Sequence, residues 1–232
     1  MYLLTETASP FALERWAAFF ANFGQFAKGF FYTLGISIGA LIVALLLGLI
    51  FGAMSSTHNK VLRGISRVYV EIFQNTPLLV QFVVVFYGIS ILTDGHVMIP
   101  ISLTAILCVG VSTGAYISEI IRTGIEAVPK GQTEAALSQG FTYADTMRII
   151  ILPQAVRTIL PPLTNQVVNL IKNTSTVAII SGADIMFTAK AWAYDTTNYV
   201  PAFAGAAFLY FIMCFPLATW ARRKEEENKK AY

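Results

Sequence analysis

The stretch "FFYTLGISIGALIVALLLGLIFGAM", Phe30 to Met54, contains no Asp, Glu, Lys or Arg. A helix crosses the hydrocarbon core of a bilayer with about 20 mostly apolar residues, and lipid satisfies no backbone N–H or C=O, so a run this long can cross only as a helix. Further runs follow at Val68 to Leu92, Ile101 to Ile121, Leu163 to Ile180 and Pro201 to Trp220, the fourth being the shortest. With 232 residues, 12% of them charged, the chain has room for about five spans and no soluble domain beside them. The expectation is an all-α membrane protein forming one domain over 1–232. Its parts are an interfacial N-terminal segment over 1–29, a transmembrane core over 30–220 and a tail over 221–232.

The N-terminal segment carries Ser9 and Pro10 as a helix-start signal. Trp16, Phe19, Phe20, Phe23 and Phe26 follow near a helical repeat. An aromatic amphipathic helix of this kind is expected to lie in the membrane interface; the alternative is that the rings continue the first span. No signal peptide is expected, because the start lacks a basic region, an apolar run and a small-residue cleavage site. Basic residues mark one side of the membrane: Lys60, Arg63 and Arg67, then Lys130, Arg148 and Arg157, then Arg222, Arg223 and Lys224. The other side carries only Arg15, Lys28 and Lys190. The positive-inside rule then puts the C-terminus in the cytoplasm and the N-terminus outside. The net charge of +3 is scattered, which argues against nucleic acid as a partner.

No phosphate-binding G-x-x-x-x-G-K-[ST] loop, no metal-spaced His or Cys pair and no Ser, His and Asp set occurs in the chain. Cys108 and Cys214 read as small core residues. Any energy must come from another subunit.

Polar residues within the spans fall into stripes. At about 100° per residue, Asn165, Asn169, Lys172 and Thr176 share an arc flanked by Gln166 and Asn173. Ser112, Tyr116, Glu119 and Thr123 form a second arc, and Glu71, Gln74 and Asn75 a third. Ionisable groups at such depth cost about 2.5 to 3.5 kcal/mol each and tend to mark a path. One alternative is that Lys172 pairs with a carboxylate such as Glu119 while the amides hold helices together. The topology separates Lys172 from Glu119 along the membrane normal, which argues against that pair, and whole stripes on three helices point to a polar cavity. Gln74, Asn75, Glu119, Asn169, Lys172 and Asn173 are therefore the candidate pathway residues. Gly110 with Gly114, Gly35 with Gly39 and Gly48 with Gly52 are spaced for close helix packing. Pro77 is expected to kink or open its helix at the polar section.

Between the third and fourth spans lies "GQTEAALSQGFTYADTMRIIILPQAVRTILPP". Gln132 to Gln139 is helix-prone, Gly140 is a plausible residue just past a helix end, and Thr142 with Asp145 has the spacing of a capping box. Met147, Ile150 and Ile151 fall on one side of a second helix that Pro153 is expected to end. Helix, corner, helix makes a rigid knob suited to a socket on another protein; the alternative is a segment resting on the membrane surface.

These residues resemble the permease subunits of bacterial ATP-binding-cassette importers, in the polar amino acid group. "EAALSQG" at Glu134 to Gly140 followed by "ILP" at Ile151 to Pro153 is similar to the family's cytoplasmic EAA loop. The resemblance extends to "VEIFQNTPLLVQF", "AYISEIIRTGIEAVPKGQ" and "PQAVRTILPPLTNQVVNLIKNTS". It departs at Gln74-Asn75, where many relatives carry Arg-Gly, and at Asn173, where Asp is frequent. The resemblance implies a type I importer permease fold with five core helices and a coupling loop over 128–153, in the bacterial inner membrane. It implies a second permease subunit, identical or paralogous, and an extracytoplasmic substrate-binding protein. It also implies two ATPase subunits that bind ATP and Mg, so that this chain holds no cofactor of its own. Gly131, Glu134, Ala135, Ala136, Gly140 and Pro153 would serve ATPase coupling. A gradient-driven secondary transporter and a structural subunit without a path are the rival classes.

Overall fold

The computed structural model describes Ser9 and residues 11–230, and every regular element among them is helical. Helix α1 (Leu13–Ala21) is separated from α2 (Phe23–Ser55) by Asn22, whose side-chain amide donates to the Ala18 carbonyl. The expected start at Ser9 and Pro10 is not used by α1, which follows Ala12 without a side-chain cap; Pro10 lies outside the described residues. Its start is fixed instead by tertiary contacts, since Arg15 donates to the Thr197 carbonyl and to Asn198 Oδ1.

Helix α3 (Lys60–Asn75) is capped by Asn59, whose Oδ1 accepts from the amides of Val61 and Leu62 at 2.9 and 3.3 Å. It stops at Thr76 and Pro77. The proline forces the preceding residue into extended backbone, and the chain resumes as α4 (Leu78–Leu92) at a bend of 100°. The continuous span expected over Val68 to Leu92 is therefore a broken pair, opened where the polar section ends. Buried Gln81 spans the break: its Nε2 donates to the carbonyls of Thr76 at 3.0 Å and Phe73 at 3.3 Å. Both carbonyls belong to the end of α3, where no further turn of helix can satisfy them.

Helix α5 (Ile101–Glu126) leads through Ala127–Pro129 into the short α6 (Lys130–Ser138). Helix α7 runs over residues 143–173 in three stretches: Tyr143–Asp145, a π stretch Thr146–Ile151, and Leu152–Asn173. A 3-10 turn Thr174–Ile180 ends in left-handed backbone at Ser181. Helix α8 (Ile185–Thr196) is capped by Asp184, which accepts from the amides of Met186 and Phe187. Helix α9 (Tyr199–Lys230) completes the order.

By length and apolarity α2, α5 and the Tyr199–Lys224 part of α9 can cross a membrane, and the bent α3–α4 pair makes a fourth candidate. The span expected at Leu163 to Ile180 is the end of α7 plus the 3-10 turn. Its polar arc keeps it outside that apolar class, although it packs among the others through Val168, Leu170 and Ile171. Helix α8 lies outside every expected span, since its short segment with Lys190 and Asp195 carries no spanning signal.

Two apolar clusters hold the molecule. One joins α2, α4, α5 and α7 around Ile36, Phe82, Val109, Ile117 and Leu170. The other joins α1, α2, α8 and α9 around Phe19, Phe26, Trp192 and Leu209. Phe19 and Phe26 are thus core, whereas Phe20 and Phe23 stay exposed, so the N-terminal aromatics divide between the two alternatives. The α2–α5 pair makes the most extensive helix contact. A Cβ on Gly110 would stand 2.7 Å from Val43 Cβ and 3.0 Å from the Ala40 carbonyl, and one on Gly114 would meet Tyr69 Oη at 2.7 Å. Gly39, Gly48 and Gly52 meet Ile106, Ile117 and Ile121 in the same way, but Gly35 has nothing within 4 Å and takes no part.

Candidate functional site

The hairpin of α6 and the start of α7 is built by local backbone chemistry. Gly140 adopts φ +87, a left-handed geometry that glycine enters without strain. Its amide donates to the Leu137 carbonyl at 3.0 Å, and the Phe141 amide donates to the Ala136 carbonyl at 3.2 Å. Together these form a Schellman closure of α6. Two residues on, Thr142 Oγ1 accepts from the Asp145 amide at 3.2 Å and donates to the Asp145 carboxylate. The expected cap is present, with its reciprocal bond made to the hydroxyl rather than to a backbone amide, because Asp is shorter than Glu.

Pro153 does not end the second helix. It stands at the start of the Leu152–Asn173 stretch, immediately after the π stretch, whose wider turn accommodates a ring and a missing donor. Gly131, Glu134, Ala135 and Gly140 are exposed, whereas Ala136 is buried under the corner. Leu137, Tyr143 and Ile149 leave apolar surface on the hairpin. His58, in the turn between α2 and α3, lies against Tyr143 with ring centroids 5.2 Å apart, so that turn and the hairpin share one end of the molecule.

A cavity of about 660 Å³ opens between α3 and the last turns of α5. Gln74 and Glu119 both line it. Gln74 Nε2 is engaged with the Ala115 carbonyl at 3.2 Å, and Asn75 Nδ2 donates to the carbonyl and carboxylate of Glu71 at 2.8 and 3.0 Å. Glu119 does not meet Lys172. Its carboxylate takes two hydrogen bonds from Arg122, from Nε at 2.9 Å and from Nη2, while Nη1 of the same guanidinium donates to Glu126 at 2.5 Å. Bidentate pairing of this kind is the strong form of the arginine–carboxylate contact.

The polar arc of α7 faces outward. Asn165, Asn169, Lys172 and Asn173 are exposed. Lys172 lines a second depression of about 310 Å³, walled by Ser175, Met186, Phe203, Ala206 and Tyr210. The six pathway candidates are therefore not gathered into one cavity: Gln74 and Glu119 share the first, Lys172 lies in the second, and Asn75, Asn169 and Asn173 stand on open faces. Beneath Lys172, Tyr210 donates to fully buried Asp184, and the Ile185 amide donates to Thr33 Oγ1. This polar knot ties α2, α8 and α9 together.

Sequence reasoning does not single out Arg122, Tyr210 or Asp184. Arg122 was visible as Glu119-x-x-Arg122-x-x-x-Glu126, a spacing that places all three on one helix face. Tyr210 and Asp184 had no local signal, since their pairing joins distant parts of the chain.

Several apolar helices that expose Ile38, Leu46 and Phe211 outward, together with an exposed hairpin, define a multi-pass helical membrane protein. The chain belongs to the family described as the binding-protein-dependent transport system inner membrane component, which matches residues 44–225. It is similar to the probable glutamine ABC transporter permease protein GlnM of Bacillus subtilis, 36% identical over 216 residues that cover 92% of this chain and 97% of GlnM. It is also similar to the glutamate/aspartate import permease protein GltJ of Escherichia coli K12, 33% identical over 82% of this chain and 85% of GltJ. Among solved structures, an amino acid ABC transporter crystallised with histidines superposes with a TM-score of 0.84 at 31% identity, covering 91% of this chain and 98% of that one. The fold is that of a type I importer permease.

Proposed function

We propose that the chain is the transmembrane permease subunit of an ATP-driven importer of polar amino acids, with glutamate or glutamine weakly favoured. The observation that carries this reading is the hairpin over 131–153: an exposed corner fixed by Gly140 and Thr142, in the sequence that resembles the EAA loop. Relatives named for glutamine and for glutamate/aspartate support the substrate class. The chain would work beside a second permease, identical or paralogous, two ATPase subunits that bind ATP and Mg, and an extracytoplasmic binding protein. Its place would be the bacterial inner membrane, hairpin and C-terminus in the cytoplasm and N-terminus outside.

In this reading the exposed polar arc of α7, with Asn169, Lys172 and Asn173, faces the path. Lys172 supplies the positive charge that a substrate carboxylate seeks, and Gln74, Asn75 and Glu119 line its course toward the cytoplasm. ATP closes the ATPase pair because ATP contacts the closed arrangement differently from the open one, and the hairpins held in its sockets move with it. Glu134 offers a charge at the socket, and Leu137, Tyr143 and Ile149 the apolar contacts around it. Hydrolysis in the partner resets the cycle.

A gradient-driven carrier would need Glu71, Glu119 and Lys172 to relay protons. Such a carrier has no use for the exposed hairpin over 131–153, which favours the ATP-driven reading. Vesicles reconstituted with this chain, its ATPase and its binding protein should take up glutamine only with ATP inside. Uptake at full rate without ATPase or nucleotide would overturn the proposal. Lys172→Ala should lower affinity or rate of uptake, and unchanged values of both would remove Lys172 from the path.

A further inference from the structure

Helix α3 is held at its middle and left loose at its start. Ser66 Oγ donates to the Phe51 carbonyl at 2.7 Å. The Tyr69 ring stacks on Phe51 with centroids 4.0 Å apart, and its hydroxyl donates to the Val111 carbonyl at 2.7 Å. Lys60 to Ile65, the turns nearest the hairpin, are all exposed. The turn that leads into them is stiff. Ser56 closes the end of α2 by donating its amide and its Oγ to the Gly52 carbonyl. The Asn59 amide donates to Thr57 Oγ1 at 3.4 Å, and Asn59 caps α3. His58 stands exposed between them, and its ring meets that of Tyr143 at 5.2 Å with the planes 50° apart. Tyr143 is itself fixed, as the first residue after the Thr142 cap.

We infer that His58 is a positioning residue for transport: its ring contact with Tyr143 carries movement of the hairpin into the free arm of α3. Ser66 and Tyr69 serve as the fulcrum, and Gln81 passes the tilt on to α4. This route crosses space between two stiff turns. It is distinct from the covalent route through Ala127–Pro129 into α5, which leaves the start of α3 untouched. An arm with no buried side chain over Lys60 to Ile65 has no packing of its own to make it follow, so without the ring contact it lags behind a moving hairpin. The inference rests on the ATP-driven reading above, which wild-type uptake tests separately.

The test sets uptake against hydrolysis. Vesicles holding the whole transporter and its binding protein are scored for glutamine taken up per ATP hydrolysed, and each variant for the ATPase recovered with it. His58→Ala should keep ATPase recovery and hydrolysis but lower uptake per ATP about fivefold, a factor within reach of one aromatic contact. His58→Phe, which keeps a ring, should restore the ratio. A purely structural role in the turn would move recovery or stability and leave the ratio alone. Tyr143→Ala should lower the ratio as well, and adding His58→Ala to it should lower it no further, because both remove the same contact. A wild-type ratio in His58→Ala overturns the inference, as does a multiplied loss in the double variant or a failure of His58→Phe to restore the ratio. Loss of ATPase recovery in step with uptake would place His58 at the socket and overturn it too. Wild-type vesicles without ATP-dependent uptake would overturn the proposed function itself, and this inference with it.

Discussion

The α2–α5 pair and the hairpin of α6 and α7 are both rigid, for opposite reasons. Between α2 and α5 rigidity comes from proximity: Gly110 and Gly114 admit Val43, Leu47 and Tyr69, and nothing larger than hydrogen fits at those positions. At the hairpin no neighbour presses on the corner, since a Cβ on Gly140 would meet nothing within 4 Å, yet its φ of +87 fixes the path of the chain. Packing therefore sets the first region and backbone geometry the second. A region held by its own backbone can leave its side chains free for a partner, which is what an exposed knob requires.

Substitutions at four positions separate the two kinds of rigidity. Gly110→Leu should have the largest effect, a destabilisation of about 3 kcal/mol from overpacking against Val43 and the Ala40 carbonyl. It would appear as a lowered melting temperature in detergent. Gly140→Val should come next, since a β-branched residue in left-handed backbone costs about 2 kcal/mol. Its signature differs: the purified subunit persists, but recovery with the ATPase in a pull-down falls. Normal recovery together with normal uptake would break the claim that the corner matters.

Thr142→Ala should cost about 1 kcal/mol by removing the cap, with a partial loss of ATPase recovery. Gly35→Ala is the control on the packing side. Open space around Gly35 means that added helix propensity should stabilise the protein by about 0.5 kcal/mol. A destabilisation as large as that of Gly110→Leu would show that close approach does not explain the α2–α5 pair.

The same division explains what could be read in advance. Gly140, the Thr142 cap and the break at Pro77 were legible because each is a local backbone rule, complete within a few residues. Glycine spacing marked close-packing surfaces on the first and third spans but could neither name the partner helix nor tell Gly35 from Gly39, because facing depends on where the partner crosses. Pro153 was misplaced for a related reason: a proline ends a regular helix, and the π stretch ahead of it has no separate sequence signal. Helix α8 and the Asp184–Tyr210 bond depend on distant segments meeting. The pathway candidates were chosen as stripes, but a stripe gives direction only, so it could not reveal that Lys172 and Glu119 open into different hollows.

Gln81 carries a mechanical consequence. By holding the loose carbonyls of Phe73 and Thr76 while rooted in α4, its amide welds the two limbs of the broken helix at their angle. Lys60–Asn75 and Leu78–Leu92 should swing as a single bent lever, and displacement during a working stroke has to be taken up elsewhere, for instance at the Ala127–Pro129 joint.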